Sequence, residues 1–199
     1  MVRSSKLLVM VAMLLSTPVL AQIQGASDGD AFIAAIKSGE SGKAADLIKK
    51  PGSTVANYRG ADGNGAIHVA MRNRDGTWVG YLLSHGAEPD LADREGDTAL
   101  ILAARMGYSE GAARMIMAHA QVDKTNKMGE TALIVAVQQR QPAIVKMLLE
   151  VGANPDKEDH ASGLSAREYA KREKRAPELL ALIETVKSTK AKAVGPVRP

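Results

Sequence analysis

The pattern of apolar and small residues along the chain repeats with a period of 33 residues. Residues 96–123 and residues 129–156 place the same residue types in the same order. Within each stretch, apolar residues three and four positions apart predict a helix, a turn and a second helix. The shared positions are Gly96, Thr98, Ala99, Leu100 and Ala103 in the first stretch, and Gly129, Thr131, Ala132, Leu133 and Ala136 in the second. A period of this length predicts stacked two-helix units in place of one globular core.

The same period extends in both directions. Gly63, Ile67 and Ala70 precede the first stretch by 33 residues. Residues 28–58 fit a diverged first unit, with helices expected at about 30–38 and 42–50. Residues 163–186 fit a last unit with a charged outer face, as a terminal capping unit requires. The residues expected on that face are Arg167, Lys171, Lys174, Arg175 and Glu178.

Individual residues indicate where the predicted helices begin and end. Thr98 and Thr131 can accept a backbone N–H and so cap the first helix of their units. Gly86 and Gly152 come just after second helices, where a positive φ is expected, and His119 takes the equivalent position in the middle unit. Ala103 lies at a small position where neighbouring helices approach closely, so a larger side chain there should force the stack apart.

Two short motifs carry a resemblance to a known family. The first reads GAIHVA from Gly65, TALILA from Thr98 and TALIVA from Thr131. The second follows it in each unit and reads LLSHGAEPD, IMAHAQVD and LLEVGANPD. The sequence thereby resembles the ankyrin-repeat proteins, whose units have this period and a T-P-L-H-x-A motif. Alanine replaces the motif's proline in all three copies, and only His68 keeps the histidine.

The resemblance extends from about Asp28 to Val186 and implies a fold. That fold is an all-α ankyrin-repeat solenoid of about five stacked helix-turn-helix units, with diverged capping repeats at its ends. It also implies that His68 has a structural role, in which its ring bonds to backbone near the turn. Ankyrin proteins typically bind protein partners on a concave surface formed by hairpin tips and first helices.

The first 21 residues have the order of a secretory signal peptide. Arg3 and Lys6 come first, an apolar run follows, and small residues occupy the −3 and −1 positions before a cut after Ala21. The apolar run is too short to span a bilayer. We therefore expect a signal peptide at residues 1–21, an ankyrin-repeat domain at 22–186, and a periplasmic or secreted protein. Residues 187–199 lack an apolar period and are expected to form a disordered basic tail.

Composition and charge narrow the choice of partners. The sequence pI is near 9.3, but six of the 26 basic residues lie at the two chain ends. Residues 22–186 hold 20 basic and 22 acidic residues, a net charge of about −2. The folded part is therefore near neutral, and export would also separate it from nucleic acid, so we expect no nucleic-acid partner. The chain has no cysteine, so its stability must come from packing without disulfides.

Few residues suggest catalysis or metal binding. The four histidines occupy different repeat positions and have no cysteine to join them, so no metal is expected. The chain lacks a G-x-S-x-G nucleophile motif and a complete phosphate-binding loop. The basic run at residues 171–175 could bind an anion or form a solvated cap. We expect no cofactor and no enzymatic activity.

What remains is recognition of a protein partner, by a chain expected to be a monomer. The family's geometry implies that hairpin tips and exposed first-helix positions make the contacts. The implied partner-binding residues are Asp62, Asn64, Arg94, Glu95, Asp97, Lys127, Met128 and Glu130 at the tips, and Arg72, Asn73, Arg105, Met106, Gln138 and Gln139 on the first helices.

Two of these residues lead to a sharper expectation. Arg72 and Arg105 are one period apart and should project from equivalent points of adjacent first helices, separated by about 10 Å. Two guanidinium groups in such a row can grip carboxylates of an acidic partner surface. Neither arginine belongs to the predicted core, so alanine at both positions is expected to change stability by less than about 1 kcal/mol.

Two alternatives stay open. One is an exported hydrolase or accessory enzyme with a site in the groove. A convergent cluster of His, Asp and Ser side chains would favour that hypothesis. The other, suggested by family members in bacterial envelopes, is a binding protein that supports a periplasmic oxidative-stress enzyme. Nothing in the sequence identifies the partner.

Overall fold

A computed structural model describes the backbone of residues 27–193 and the side chains of residues 27–185. Over that range the chain folds into ten α-helices, one short 3-10 helix at Val55–Asn57, and no β-strand longer than an isolated bridge. The predicted all-α class is therefore confirmed. The predicted signal peptide and residues 194–199 lie outside the described residues.

The helices form five consecutive pairs. Their bounds are α1 Asp28–Ser38 and α2 Ser41–Ile48, α3 Ala66–Arg72 and α4 Gly76–Ser84, α5 Ala99–Met106 and α6 Ser109–Met117, α7 Ala132–Gln138 and α8 Pro142–Glu150, and α9 Ala166–Arg172 and α10 Pro177–Ala193. The first helices of the pairs (α1, α3, α5, α7 and α9) contact one another in order. The second helices from α4 to α10 do the same, so the pairs stack into two helix layers.

The core of the stack is continuous and is made of aliphatic residues and alanine. Helices α5 and α7 are buried on every side from Ala99 to Ala104 and from Ala132 to Val137. A helix that is apolar all round must be buried in this way. Ala103 is fully buried, as predicted for its position. The first helices therefore reach solvent mainly at their C-terminal ends.

A hairpin-like turn precedes each first helix from α3 onwards. Single antiparallel bridges close three of these turns, and they join Arg59 to Gly65, Ala92 to Thr98 and Glu158 to Ser165. We refer to residues 61–63, 94–96, 127–129 and 160–163 as the first to fourth tips. Each tip packs against the backbone of the next, so the tips form a row along one edge of the stack.

The tips are in direct backbone contact. The N–H of Lys127 donates to the carbonyl of Glu95 at 3.0 Å, and the N–H of His160 donates to the carbonyl of Met128 at 2.8 Å. Gly129 has a φ of +79°, and a Cβ atom there would lie 2.5 Å from the backbone nitrogen of His160. Only glycine satisfies both the positive φ and the close approach.

The predicted helix-end residues are confirmed. The hydroxyls of Thr98 and Thr131 accept the N–H groups of the third residues of α5 and α7, at 3.3 and 3.2 Å. Gly86 and Gly152 have φ values of +82° and +98°, and His119 takes the same left-handed conformation at +60°.

Three helix boundaries differ from the sequence prediction. Helix α1 begins at Asp28 because the Ser27 side chain caps it, accepting the N–H of Asp30 at 3.1 Å. Helix α2 ends at Ile48, since Pro51 disfavours helical backbone just before it. Helix α10 runs to Ala193, so residues 187–193 of the expected tail are helical. Lysine and alanine favour that extension, and no glycine or proline interrupts the sequence before Gly195.

Candidate partner-binding surface

The tips and the C-terminal ends of the first helices share one face of the stack, which we call the tip face. It comprises the four tips together with Arg72, Arg105 and Gln138. Between its second and third tips lies an open depression of about 510 Å³. The depression is lined by Arg94, Glu95, Asp97, Arg105, Asn126, Lys127 and Met128. All of these except Asn126 are residues that the sequence indicated.

Arg105 lies at the floor of this depression and is held there by buried carboxylates. Its Nη2 donates to Asp97 Oδ2 at 3.0 Å and lies 3.5 Å from Glu130 Oε2. The Asn126 amide donates to both carboxylates, at 2.8 Å each. A buried carboxylate needs such partners because removing its charge from water costs free energy that only hydrogen bonds and ion pairs can offset. The four side chains therefore form one connected network beneath the depression.

Arg72 has the same role one unit earlier. Its Nη2 donates to Asp93 Oδ2 at 3.0 Å, and its Nη1 donates to the Asn64 side chain. The Asp93 side chain is only 2% exposed, whereas the arginine is 41% exposed. Arg72 and Arg105 thus occupy equivalent positions, as predicted, but neither is free. Each pairs with a carboxylate of the following unit, so both arginines are already engaged within the stack, and their role in binding a partner stays a prediction.

The equivalent position in the fourth unit holds Gln138, which cannot provide a charge. It lines a separate depression of about 250 Å³ together with Val137, Tyr169, Arg172 and Glu173. The arginine network therefore ends after Arg105. The basic run at 171–175 borders this smaller depression, where Glu173 accepts from Arg140 at 2.8 Å.

The remaining predicted residues differ in exposure. Asp62 pairs with Lys37 at 3.2 Å, and hydrogen bonds from the Asn64 backbone and side chain hold its pKa well below the usual range. Asp97 and Glu130 are buried, because their carboxylates point into the network under the depression. The exposed or half-exposed members of the set are Asp62, Asn64, Arg72, Asn73, Arg94, Glu95, Arg105, Met106, Lys127, Met128, Gln138 and Gln139.

A second set of residues was missed by the sequence interpretation and shapes the tips from inside. Asp93, Asn126 and Asp159 are buried, follow the period of 33, and each accepts backbone N–H groups from its own turn. Asp93 Oδ1 accepts from Glu95 and Asp97 at 3.0 and 2.9 Å. These are Asx turns, in which a side chain replaces a backbone acceptor. The signal was present, since Asp or Asn stands three residues before two of the tip glycines.

Asp159 shows how firmly such a side chain is held. Burial alone would raise the pKa of its carboxyl group, but hydrogen bonds from Tyr169, Ser162 and Gly163 outweigh burial and lower it. The Tyr169 hydroxyl donates to Oδ2 at 2.6 Å. The carboxylate therefore stays ionised and fixes the fourth tip.

His68 has the structural role that the resemblance implied. Its Nδ1 accepts the backbone N–H of Gly65 at 3.0 Å, so the ring proton resides on Nε2, which donates to the carbonyl of Leu91 at 3.0 Å. Burial lowers the pKa of the ring, which keeps it neutral. The histidine thus ties the start of α3 to the loop of the next unit.

The serine, histidine and aspartate side chains that a hydrolase would need are not brought together as a triad in the described part of the chain. Ser162 bonds to Asp159 and to Tyr169, and Ser84 contacts the neighbouring His85 at 3.1 Å. Within residues 27–185, no hydrogen-bonded chain joins a serine, a histidine and an aspartate. The same part of the chain contains no group of three His, Cys, Asp or Glu residues that could hold a metal. The expectations of no metal and no cofactor stay predictions.

No helix of the described part is long and apolar enough to cross a membrane.

Five stacked helix pairs, with their turns aligned on one edge, define a helical repeat solenoid. A family model for ankyrin repeats, containing three copies, matches residues 31–127 and 67–159. These matches cover more than half of the chain, which therefore belongs to the ankyrin-repeat family. No curated protein matches the chain. Ankyrin repeats generally mediate protein–protein interactions, and the family is typically non-catalytic.

Proposed function

We propose that the chain is an exported protein–protein interaction module that binds a partner protein through its tip face and catalyses no reaction itself. We take the tip face to be the surface of hairpin tips and first helices that ankyrin proteins typically use for binding. The observation that carries the proposal is the depression between the second and third tips. There, Arg94, Lys127 and Met128 are exposed around a floor in which Arg105 shares its one positive charge between the buried carboxylates of Asp97 and Glu130.

The residue types at the rim suit recognition. Arginine and methionine are enriched at protein interfaces. Met128 has 53% of its surface exposed, and large apolar side chains elsewhere in the described part are mostly buried. An exposed methionine can adapt its shape to a partner, because its side chain is unbranched and polarizable.

The rim is also held in place before any partner binds. Backbone hydrogen bonds join the second tip to the third and the third to the fourth, and buried Asp93 and Asn126 fix the turns from inside. A surface that is already ordered loses less conformational entropy on binding. The hairpin tips can therefore present their side chains in one arrangement.

Site-specific photocrosslinking in living cells tests the binding site. A photoreactive amino acid replaces Met128 in one variant and Met117 in a control. Met117, at the end of α6, is 78% exposed but belongs to the second-helix layer. We expect position 128 to capture a discrete partner and position 117 not to capture it. Equal capture at both positions, or capture at 117 alone, would contradict the proposal.

Export is tested separately. If the leader is cut after Ala21, the protein recovered from the cell envelope or medium begins at Gln22. N-terminal sequencing of that fraction should identify this residue. Recovery of only an intact Met1 form from the cytoplasm would remove export from the proposal and leave the binding assignment standing.

A further inference from the structure

The unpaired positive charge of the tip face lies on the tips and not on the helix ends. Arg72 and Arg105 are committed to Asp93, Asp97 and Glu130. Arg94 and Lys127 are exposed and form no ion pair with any residue that the structure describes. They occupy equivalent positions in adjacent units, and both line the depression.

Arg94 is already oriented for binding. One of its Nη groups donates to the carbonyl of Ala61 in the first tip. That hydrogen bond uses one donor of the guanidinium and leaves the others for a ligand. A side chain held in this way loses less rotamer freedom when it grips a carboxylate.

The charge along the row of tips rises from the first tip to the third. Successive tips carry Ala61, Arg94, Lys127 and His160 at one position, and Asp62, Glu95, Met128 and Ala161 at the next. Asp62 is paired with Lys37, so Glu95 is the acid that remains at these positions. Beyond Glu95, the third and fourth tips present a cation, a methionine, a histidine and an alanine. The third tip therefore carries an exposed cation and no exposed acid, which favours a negatively charged group at that point of the row.

Adjacent helices in a stack are about 10 Å apart, a distance that an extended chain spans with about three residues. One extended segment can therefore reach both Arg94 and Lys127. We propose that the depression takes an extended acidic segment of the partner protein, with a carboxylate between Arg94 and Lys127 and an apolar side chain against Met128. The inference rests on the proposed function, because it names the chemistry of the partner at the same site.

Selection from a display library of random linear peptides on the purified protein tests this inference. We expect the enriched peptides to carry aspartate or glutamate next to an apolar residue. A fluorescent peptide of the most enriched sequence should bind Lys127→Glu at least about tenfold more weakly than the unchanged protein, because reversal puts like charges together. Lys127→Ala, which removes the cation without adding an acid, should give a smaller loss. Circular dichroism establishes that each variant is folded.

The matched control is Lys49→Glu. Lys49 is an exposed lysine directly after α2, and the change alters net charge by the same amount away from the tips. It should leave the affinity within about twofold, since charges beyond a Debye length are screened. An equal loss in both variants would overturn the site, because it would indicate a general charge effect.

Two further outcomes separate the inference from the proposed function. Enrichment of neutral or basic peptides would overturn the proposal that the ligand is acidic, but it would leave the proposed function as a binding module standing. If no peptide is enriched but position 128 captures a partner, the proposal of a linear ligand would be overturned, and a folded surface of the partner would be favoured. Absence of both would contradict the proposed function as well.

Discussion

Arg105 and Asp97 form an ion pair of 3.0 Å in which the arginine side chain is 39% exposed and the carboxylate only 9%. The arginine therefore stabilises the stack from its surface. Arg105→Ala would leave the buried Asp97 and Glu130 with one shared amide donor, from Asn126. Leaving buried acceptors short of partners costs about 1 to 3 kcal/mol, and we expect the lower part of that range because the arginine is partly solvated.

Urea unfolding of Arg105→Ala measures this loss. Arg94→Ala is the matched control, since it removes an arginine of the same depression that has no carboxylate partner among the described residues. The control should stay within about 0.5 kcal/mol of the unchanged protein. Equal stability of the two variants would mean that the network beneath the depression contributes nothing.

The neutral His68 makes stability depend on pH. Burial lowers its pKa, so the folded state keeps the ring neutral where the unfolded chain, with a pKa of about 6.5, takes up a proton. The unfolded state then binds more protons, and stability falls as pH decreases below about 6.5, by up to about 1.4 kcal/mol per pH unit. Denaturation midpoints between pH 7 and 5 measure this slope.

His68→Gln should flatten the slope over that range, whatever it does to stability at pH 7. The carboxylates with lowered pKa, such as Asp159, contribute stability above their unfolded pKa near 4 and lose it at lower pH, outside this window. His160→Gln, at an exposed position, should keep the slope. If the plots of stability against pH run parallel for the unchanged protein and His68→Gln, His68 is not the source of the slope.

Ala103 is fully buried in α5, where the first helices of adjacent units meet. Leucine there needs space that the stack does not have, and overpacking costs about 1 to 3 kcal/mol. Thermal unfolding of Ala103→Leu should show a clearly lower transition. Ala143→Leu, at an exposed position of α8, should not. A lower melting temperature in both variants would contradict this explanation, because it would show that leucine destabilises the protein even where no neighbouring helix is crowded.

Gly129 and Gly86 are glycines for different structural reasons, and an alanine substitution at each position distinguishes them. Gly86 has a φ of +82° and no neighbour within 4 Å of an added Cβ, so Gly86→Ala should cost only the left-handed strain of about 1 to 2 kcal/mol. Gly129→Ala adds the clash with the backbone of His160 and should cost distinctly more. Chemical denaturation compares the two directly. Equal losses would show that the third and fourth tips can move apart freely.

The stack and its helix ends could be predicted from the sequence because their signals are local. The period, the capping Thr98 and Thr131, and the left-handed position shared by Gly86, Gly152 and His119 depend on residues close together in the chain. Most residues that line the depression could also be named from the sequence, because the family's geometry assigns hairpin tips to fixed positions of each unit; that they bind a partner stays a prediction.

The roles of the charged residues could not be predicted in the same way. Arg72 meets Asp93 and Arg105 meets Glu130 across 21 and 25 residues of sequence, and only stacking brings them together. A charged residue at a turn is usually solvated, so Glu130 gave no sign that it is buried. The cations left for a partner, Arg94 and Lys127, emerged only once these pairings were known.

The pairing of each arginine with a carboxylate of the next unit bears on how such a chain can evolve. Loss of residues 92–124 would bring Arg72 to the place of Arg105, opposite Asn126 and Glu130, so Glu130 would keep an arginine partner. Loss of residues 59–91 would bring Gly39 to the place of Arg72 and strand Asp93 without one. Two deletions of identical length should therefore differ in cost, because only the loss of residues 59–91 leaves a buried carboxylate without its arginine.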